Sequence, residues 1–270
     1  MRIAVVAPSC SLKPEAADAV QAIAAARGDC ELAIHPQCFL TDGHFAGPDE
    51  ARLAALREVM ADPAVDAVWF ARGGYGSNRI AEAALANLPD AAGAKVYMGY
   101  SDAGFLLAGL HKAGLAAAWG PMPQDVLREG GDRAVHRALD WLVRRDPSAL
   151  EPDIQAPAMA FNLTVLSNLL GTPLEPDFSA VDLMIEEVSE HLYGIDRTMF
   201  HVTASANLRR AARLRLGRVS DVLPNDVEFG ADEQAIVADW CRRSGIPFGG
   251  AADIGHDARN RVVPFRTEKR

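Results

Sequence analysis

The chain has 270 residues, 49% of them hydrophobic and 23% charged, and its 27 basic against 36 acidic side chains leave a net charge of −9. A chain of this size buries about three quarters of the surface its unfolded form exposes, so it folds without disulfides or metals, as one large α/β domain or two unequal lobes. The composition excludes fibrous and disordered classes, and the acidic balance argues against nucleic acid or an anionic membrane as a partner held by bulk charge.

Residues 3–7 read as a buried strand and 13–26 as an Ala-rich helix; 32–36 form a second strand and 50–61 a helix with Leu53, Leu56 and Met60 at helical spacing. A strand at 67–70, a helix at 78–88, a strand at 95–100 and helices at 102–113 and 132–144 complete the first half. Such alternation predicts a parallel sheet with helices on both faces, whose ligand crevice lies at the carboxyl ends of the strands. The apolar run before Pro8 is too short for a secretory h-region, and the stretch 103–119 is broken by His111 and Lys112. No membrane partner and a cytoplasmic location follow as expectations. Four cysteines, at 10, 30, 38 and 241, form no C-x-x-C pair, which fits reduced thiols rather than zinc or a disulfide framework.

Three prolines between 145 and 157, with little periodicity, mark a linker. The expected organisation is therefore an N-terminal α/β domain over 1–146, a linker over 147–160 and a smaller C-terminal lobe of strands and helices over 161–270. In that lobe 163–170 reads as a helix, 181–186 as a strand, 196–210 as a long helix, 214–219 as a strand and 232–243 as a helix. The charged tail 266–270 is expected to fray.

Four segments carry candidate chemistry. Arg72-Gly73-Gly74-Tyr75-Gly76 follows the strand 67–70, and its glycines permit positive φ, close backbone approach and an anion-binding nest. A tight strand-to-helix turn accounts for the same glycines, and no phosphate-binding G-x-x-x-x-G-K-[ST] is present. Gly99-Tyr100-Ser101-Asp102 sits at the next such junction. It fits a serine held above the sheet beside an oxyanion donor, and equally a serine N-cap with Asp102 in the first helical turn. Glu186 and Glu187 end an apolar strand, with Glu190, Tyr193, Asp196 and Arg197 behind them. Neighbours on a strand point to opposite faces, so one of the pair faces the crevice, unless both are a solvated strand end. Of seven histidines, His256, after Gly255 in a Gly-rich run, is most clearly on a loop; His191 is its rival. No H-x-H or H-x-x-x-H spacing points to a metal.

Together these segments resemble the LD-carboxypeptidases, serine peptidases that trim murein peptides and are related to the microcin C immunity peptidases. The resemblance runs nearly end to end. Its markers are Ala7-Pro8-Ser9, Phe45-Ala46-Gly47 with Arg52, the loop Arg72 to Gly76 with Arg79, and Gly99-Tyr100-Ser101-Asp102. Gly120-Pro121-Met122, Asn162-Leu163, Gly171-Thr172-Pro173, Ile185-Glu186-Glu187-Val188 with Glu190, Asp196-Arg197, Pro224-Asn225-Asp226 and Gly255-His256 follow in order.

The resemblance implies Ser101 as nucleophile, Glu186 as the acid of a triad and His256 as its base, with the backbone N–H groups of Gly74 and Asp102 as oxyanion donors; Glu187 is then a bystander. It implies a cytoplasmic enzyme that removes D-alanine from a murein tetrapeptide during wall recycling, without metal or cofactor, as a homodimer. Arg72 and Arg79, with Tyr75 beside them, are candidates for substrate binding; the arginines serve equally to brace the glycine turn. The sequence departs from the family pattern at Ala160-Phe161 before Asn162, at Ala103-Gly104 and in having Glu-Glu at 186–187. Two other readings are an immunity-type peptidase, for which Trp69 or Trp119 would grip a nucleobase, and an inactive ligand-binding homologue.

Overall fold

The computed structural model describes residues 1–155 and 157–265 and is mixed α/β, with two separate sheets. The expected fraying of 266–270 lies outside the described residues.

The first half runs β1 (Arg2–Val6), α1 (Pro14–Arg27), β2 (Glu31–Ile34), α2 (Asp49–Ala61), β3 (Ala67–Phe70), α3 (Ser77–Leu85), β4 (Val96–Gly99), α4 (Gly104–Lys112), β5 (Ala116–Trp119) and α5 (Gly131–Arg144). The second half runs β6 (Ala158–Asn162), α6 (Leu163–Leu169), β7 (Asp182–Val188), α7 (Leu192–Ala204), β8 (Arg213–Ser220), α8 (Glu233–Ser244), β9 (Phe248–Ala251) and β10 (Val263–Pro264). Sheet one has the order β10-β5-β4-β3-β1-β2 and is parallel except for β10, which pairs antiparallel with β5. Sheet two has the order β6-β7-β8-β9 and is wholly parallel.

Side-chain alternation along the strands of sheet one divides the core. Ile3, Val5, Ala67, Trp69 and Met98 face one way and pack with α1 and α5. Ala4, Val6, Val68, Phe70 and Tyr97 face the other way and share a continuous core with Phe161, Met184 and Ile185 of sheet two. Helix α4 is buried from Gly104 through Leu110 and packs against both β5 and α6. An apolar helix with no polar face is stable only where neighbours cover it all round, and α4 is covered in this way at the junction of the halves.

The linker expected over 147–160 differs from the structure at its end, because 158–162 is strand β6. All five of its residues are buried, so the segment shows no polar-apolar alternation and its signal was hidden beside the prolines. Strand β5, Ala-Ala-Ala-Trp, was missed because alanine carries little strand preference. The helix expected from 196 begins at Leu192 and ends at Ala204. Val263 and Pro264, expected within the C-terminal lobe, return to sheet one beside Trp119 and Ala118. Glu151, from the linker, is buried in a two-pronged ion pair with Arg215 of β8, with both N–O distances 2.7 Å.

Candidate active site

The carboxyl ends of β1, β3 and β4 are fastened to one another. The Asp102 carboxylate is buried and accepts from Ser9 Oγ at 2.5 Å and from the Ser77 N–H at 2.8 Å, while Ser77 Oγ donates to the Asp102 carbonyl at 2.5 Å. Burial pushes the Asp102 carboxyl above its ordinary range, and the hydrogen bonds from Ser9 and Ser77 oppose that rise. Buried Arg52 donates to the carbonyls of Pro8 and Gly76, joining the turns after β1 and β3.

Within this frame Ser101 has φ of 59°, a left-handed conformation that an L-residue adopts at a cost of about 1–3 kcal/mol and keeps only when its surroundings impose it. The N-cap role open to Ser101 is not realised. Its Oγ lies instead 3.1 Å from His256 Nε2. The Gly loop presses close: a Cβ on Gly73 would sit 2.9 Å from Ser101 Cβ. Gly74 has φ of +109°, and a Cβ there would fall 2.3 Å from Cys10 Sγ. Among the described residues, the Gly74 N–H donates to no backbone carbonyl, and the Asp102 N–H is in the first turn of a helix, where no intrahelical acceptor exists.

The second half brings the partners. Glu186, near the end of β7, is fully buried, and its Oε2 lies 2.6 Å from His256 Nδ1. Its Oε1 has no partner among the described residues. Burial pushes the Glu186 carboxyl upward, against the pull of the His256 ring. Burial alone would lower the His256 pKa, but the charge and hydrogen bond of Glu186 outweigh it and hold the imidazole above its ordinary value of 6.5. Ser101, His256 and Glu186 thus form one hydrogen-bonded line joining the two halves.

Glu187 faces the other way, as strand alternation requires, next to a shift in the pairing of β7 with β8. It is not idle. Its carboxylate accepts from Asn162 Nδ2, the Thr164 N–H and Thr164 Oγ1 at 2.7–2.9 Å, tying β7 to the start of α6. His191, the rival histidine, stacks on Tyr193 with ring centroids 4.8 Å apart and has no hydrogen bond to Ser101 or Glu186.

The loop bearing His256 is pinned by the first half. Arg128 Nη1 donates to the His256 carbonyl at 2.8 Å, and Arg137 to the carbonyls of Ala258 and Asn260. Asn260 Oδ1 in turn accepts from Trp119 Nε1 at 2.9 Å. The Tyr100 ring lies 4.9 Å from the His256 ring, and its hydroxyl donates to Asp125 at 2.7 Å. Sequence reasoning missed Arg128 and the packing role of Tyr100, because nothing in a local pattern announces contacts with His256 more than a hundred residues away, and it missed Asp125, which reaches Tyr100 across 25 residues.

Two cavities meet at Ser101. One, of about 460 Å³, is lined by Arg72, Gly73, Gln124, Arg128 and His256. The other, of about 720 Å³, is lined by Tyr75, Asp102, Asn162, Glu187 and Glu190. Arg72 and Tyr75 therefore stand in cavity walls, whereas Arg79 lines neither of these two. Its guanidinium pairs with Asp49 at 2.9–3.0 Å and lies over Phe45, while the carbonyl of Gly76 in the glycine turn is held by Arg52. Trp69 and Trp119 are fully buried with their indole N–H groups donating to Pro121 and Asn260, so neither can grip a nucleobase. Among the described residues no three His, Cys, Asp or Glu side chains are grouped to hold a metal, and no helix is long and apolar enough to cross a membrane.

Comparison with known proteins agrees with this organisation. Residues 3–120 match the LD-carboxypeptidase N-terminal domain and residues 155–270 the LD-carboxypeptidase C-terminal domain. A Synechocystis sp. protein bearing a carboxypeptidase name is 32% identical over 97% of this chain and 88% of its own length. The murein tetrapeptide carboxypeptidase of Pseudomonas aeruginosa is 25% identical over 98% of this chain and 91% of its own. The crystal structure of muramoyltetrapeptide carboxypeptidase from Oxalobacter formigenes superposes with a TM-score of 0.81 at 23% identity, covering 98% and 92% of the two chains. Matched in both halves, the chain belongs to the LD-carboxypeptidase family.

Proposed function

We propose that the chain is a serine-type LD-carboxypeptidase that hydrolyses the L,D bond releasing terminal D-alanine from a murein tetrapeptide, acting in the cytoplasm on recycled wall peptides. The observation that carries this reading is the line Ser101 Oγ, His256 Nε2 and Nδ1, Glu186 Oε2, with steps of 3.1 and 2.6 Å.

In this mechanism His256 accepts the Ser101 proton as Oγ attacks the scissile carbonyl. Glu186 fixes the tautomer with Nε2 unprotonated and stabilises the imidazolium that forms. The tetrahedral oxyanion is held by the N–H groups of Gly74 and Asp102, each contributing about 10²–10³ in rate. The C–N bond breaks as His256 Nε2 passes its proton to the leaving amine. Water, deprotonated by the same ring, then attacks the acyl-enzyme carbonyl, and as the C–O bond to Ser101 breaks His256 hands that proton to Ser101 Oγ. The left-handed turn at Ser101 and the side-chain-free Gly73 support this reading, since together they leave space over the hydroxyl for a carbonyl carbon.

The test is D-alanine release from purified murein tetrapeptide. The native chain is expected to release it and Ser101→Ala to lose about 10⁴–10⁶-fold in kcat, with circular dichroism unchanged. Equal release by both proteins would refute Ser101 as nucleophile. Absence of release by the native chain would turn the reading toward the immunity-type substrates or a ligand-binding homologue.

A further inference from the structure

The two cavities that meet at Ser101 differ in charge and in their relation to His256, and together they assign a direction to the substrate. This inference rests on the serine-hydrolase reading above.

A general acid must reach the atom it protonates, within about 2.6–3.2 Å or through one water. His256 lines the smaller cavity and not the larger one. The leaving amine, and with it the residue it belongs to, therefore belongs in the smaller cavity. The acyl part belongs in the larger cavity, which Asp102 also lines. The charges agree with this polarity. The smaller cavity carries the guanidinium groups of Arg72 and Arg128 against one carboxylate, Asp125, which is bonded to Arg128 and Tyr100, whereas the larger carries Asp102, Glu82, Glu187 and Glu190 with no lysine or arginine among its lining residues. A free carboxylate is attracted to the first wall and repelled by the second.

Of the two arginines, Arg128 is the better held. Nε donates to Asp125 Oδ1 at 3.0 Å and Nη1 to the His256 carbonyl at 2.8 Å, while Nη2 has no hydrogen-bond partner among the described residues. The Asp125 carboxylate is itself fastened by Tyr100 Oη at 2.7 Å and by the Met122 N–H at 2.8 Å. A side chain anchored through two of its three nitrogens presents the third at little further entropic cost. Arg72 is tethered by one hydrogen bond, from Nη1 to the Ser11 carbonyl at 3.2 Å.

We infer that the cavity walled by Arg72 and Arg128 is the leaving-residue subsite, and that Arg128 is the specificity residue that reads the terminal carboxylate of the peptide being cleaved.

The experiment compares a murein tetrapeptide ending in a free carboxylate with the same peptide ending in a carboxamide, on the native chain, Arg128→Gln and Arg128→Lys. The native chain is expected to favour the free acid by about 10²-fold or more in kcat/KM, because its charged donor is left without a charge partner by the amide. Arg128→Gln should bring that preference within about tenfold, chiefly by slowing the acid, and Arg128→Lys should recover part of it. If Arg128 only steadies the His256 loop, both peptides lose equally and the preference stays, which overturns the inference. Turnover of neither peptide by the native chain would sink the proposed function instead. Binding of the two peptides to Ser101→Ala, with and without Arg128→Gln, then decides the subsite by itself: an acid-over-amide preference untouched by Arg128→Gln is the overturning result.

Discussion

The strand ends that meet at Ser101 are built in different ways. At the ends of β1, β3 and β4, the hydrogen-bonded frame lies within the first half: Asp102 binds Ser9 and Ser77, and Arg52 spans two turns. The end of β7 and the loop after β9 place Glu186 and His256, and that loop is held from both sides: within its own half by Arg218 of β8, bonded to Asp253 and Asp257, and from across the junction by Arg128, Arg137 and Trp119 through Asn260. The first frame can hold a strained residue because it is stiff on its own. The second takes part of its restraint from its own half and part from the packing of the two halves together.

Glu186 and Glu187 repeat that contrast in miniature. Glu187 is bonded by several donors, as a structural carboxylate should be, whereas Glu186 leaves one buried oxygen unpartnered among the described residues and spends the other on His256. An under-satisfied buried carboxylate costs stability, and such costs concentrate at functional sites.

The largest effect should come from cutting the cross-junction line. Glu186→Gln is expected to lower kcat by about 10²–10⁴-fold, since the amide no longer stabilises the imidazolium or enforces its tautomer. The pH profile gives an independent reading. As the proposed base, His256 would act only when neutral, and Glu186 holds its pKa above 6.5. In the native chain kcat/KM should therefore decline as pH falls through that raised value. With glutamine at 186 the charge that chiefly raises the pKa is gone, while burial still lowers it and the smaller effects of Asp125 and Arg128 oppose each other, so the acid limb should move to lower pH. A limb that stays in place would remove Glu186 from its role.

Breaking the stiff frame should cost less. Gly74→Ala brings a Cβ into Cys10 Sγ at a φ that alanine avoids, and the loop must shift away from Ser101. A fall of about 10²–10³-fold in kcat with the pH profile unmoved is expected, matching the loss of one oxyanion donor. Smaller again is Glu187→Gln, which weakens the bonds to Asn162 and Thr164; thermal unfolding should register about 1–3 kcal/mol, while the pH profile keeps its shape. Arg79→Ala should matter least, with thermal unfolding nearly unchanged, because its pair with Asp49 is open to solvent. A large loss of turnover in Arg79→Ala would return that residue to the substrate.

The fold class was legible in the sequence wherever elements were amphipathic or bounded by turn residues, as at 49–61 and 67–70. It was lost where an apolar run carried little strand preference or lay beside prolines. Strand β5 is Ala-Ala-Ala-Trp and strand β6 is apolar up to Asn162, so no period distinguished either from its surroundings. At the site, strand-to-helix junctions flagged Ser101 and the glycine loop, but local spacing alone also admitted a plain N-cap and a plain turn. The family pattern directed attention to Glu186 and His256. Their distances from each other and from Ser101 had to come from the structure.

What the sequence by itself determined, then, is chemistry held in short range: glycines where positive φ is needed, a serine on a turn, a carboxylate pair alternating across a strand. The tertiary structure alone decided which of those groups meet. Ser101 and His256 are 155 positions apart, and only packing of α4 and sheet two against sheet one brings them to 3.1 Å. It also decided that Arg79 faces Asp49, that Glu187 anchors α6, and that Arg128 stands beside His256. Contacts of that kind depend on the three-dimensional path of the chain and leave no periodic trace along it.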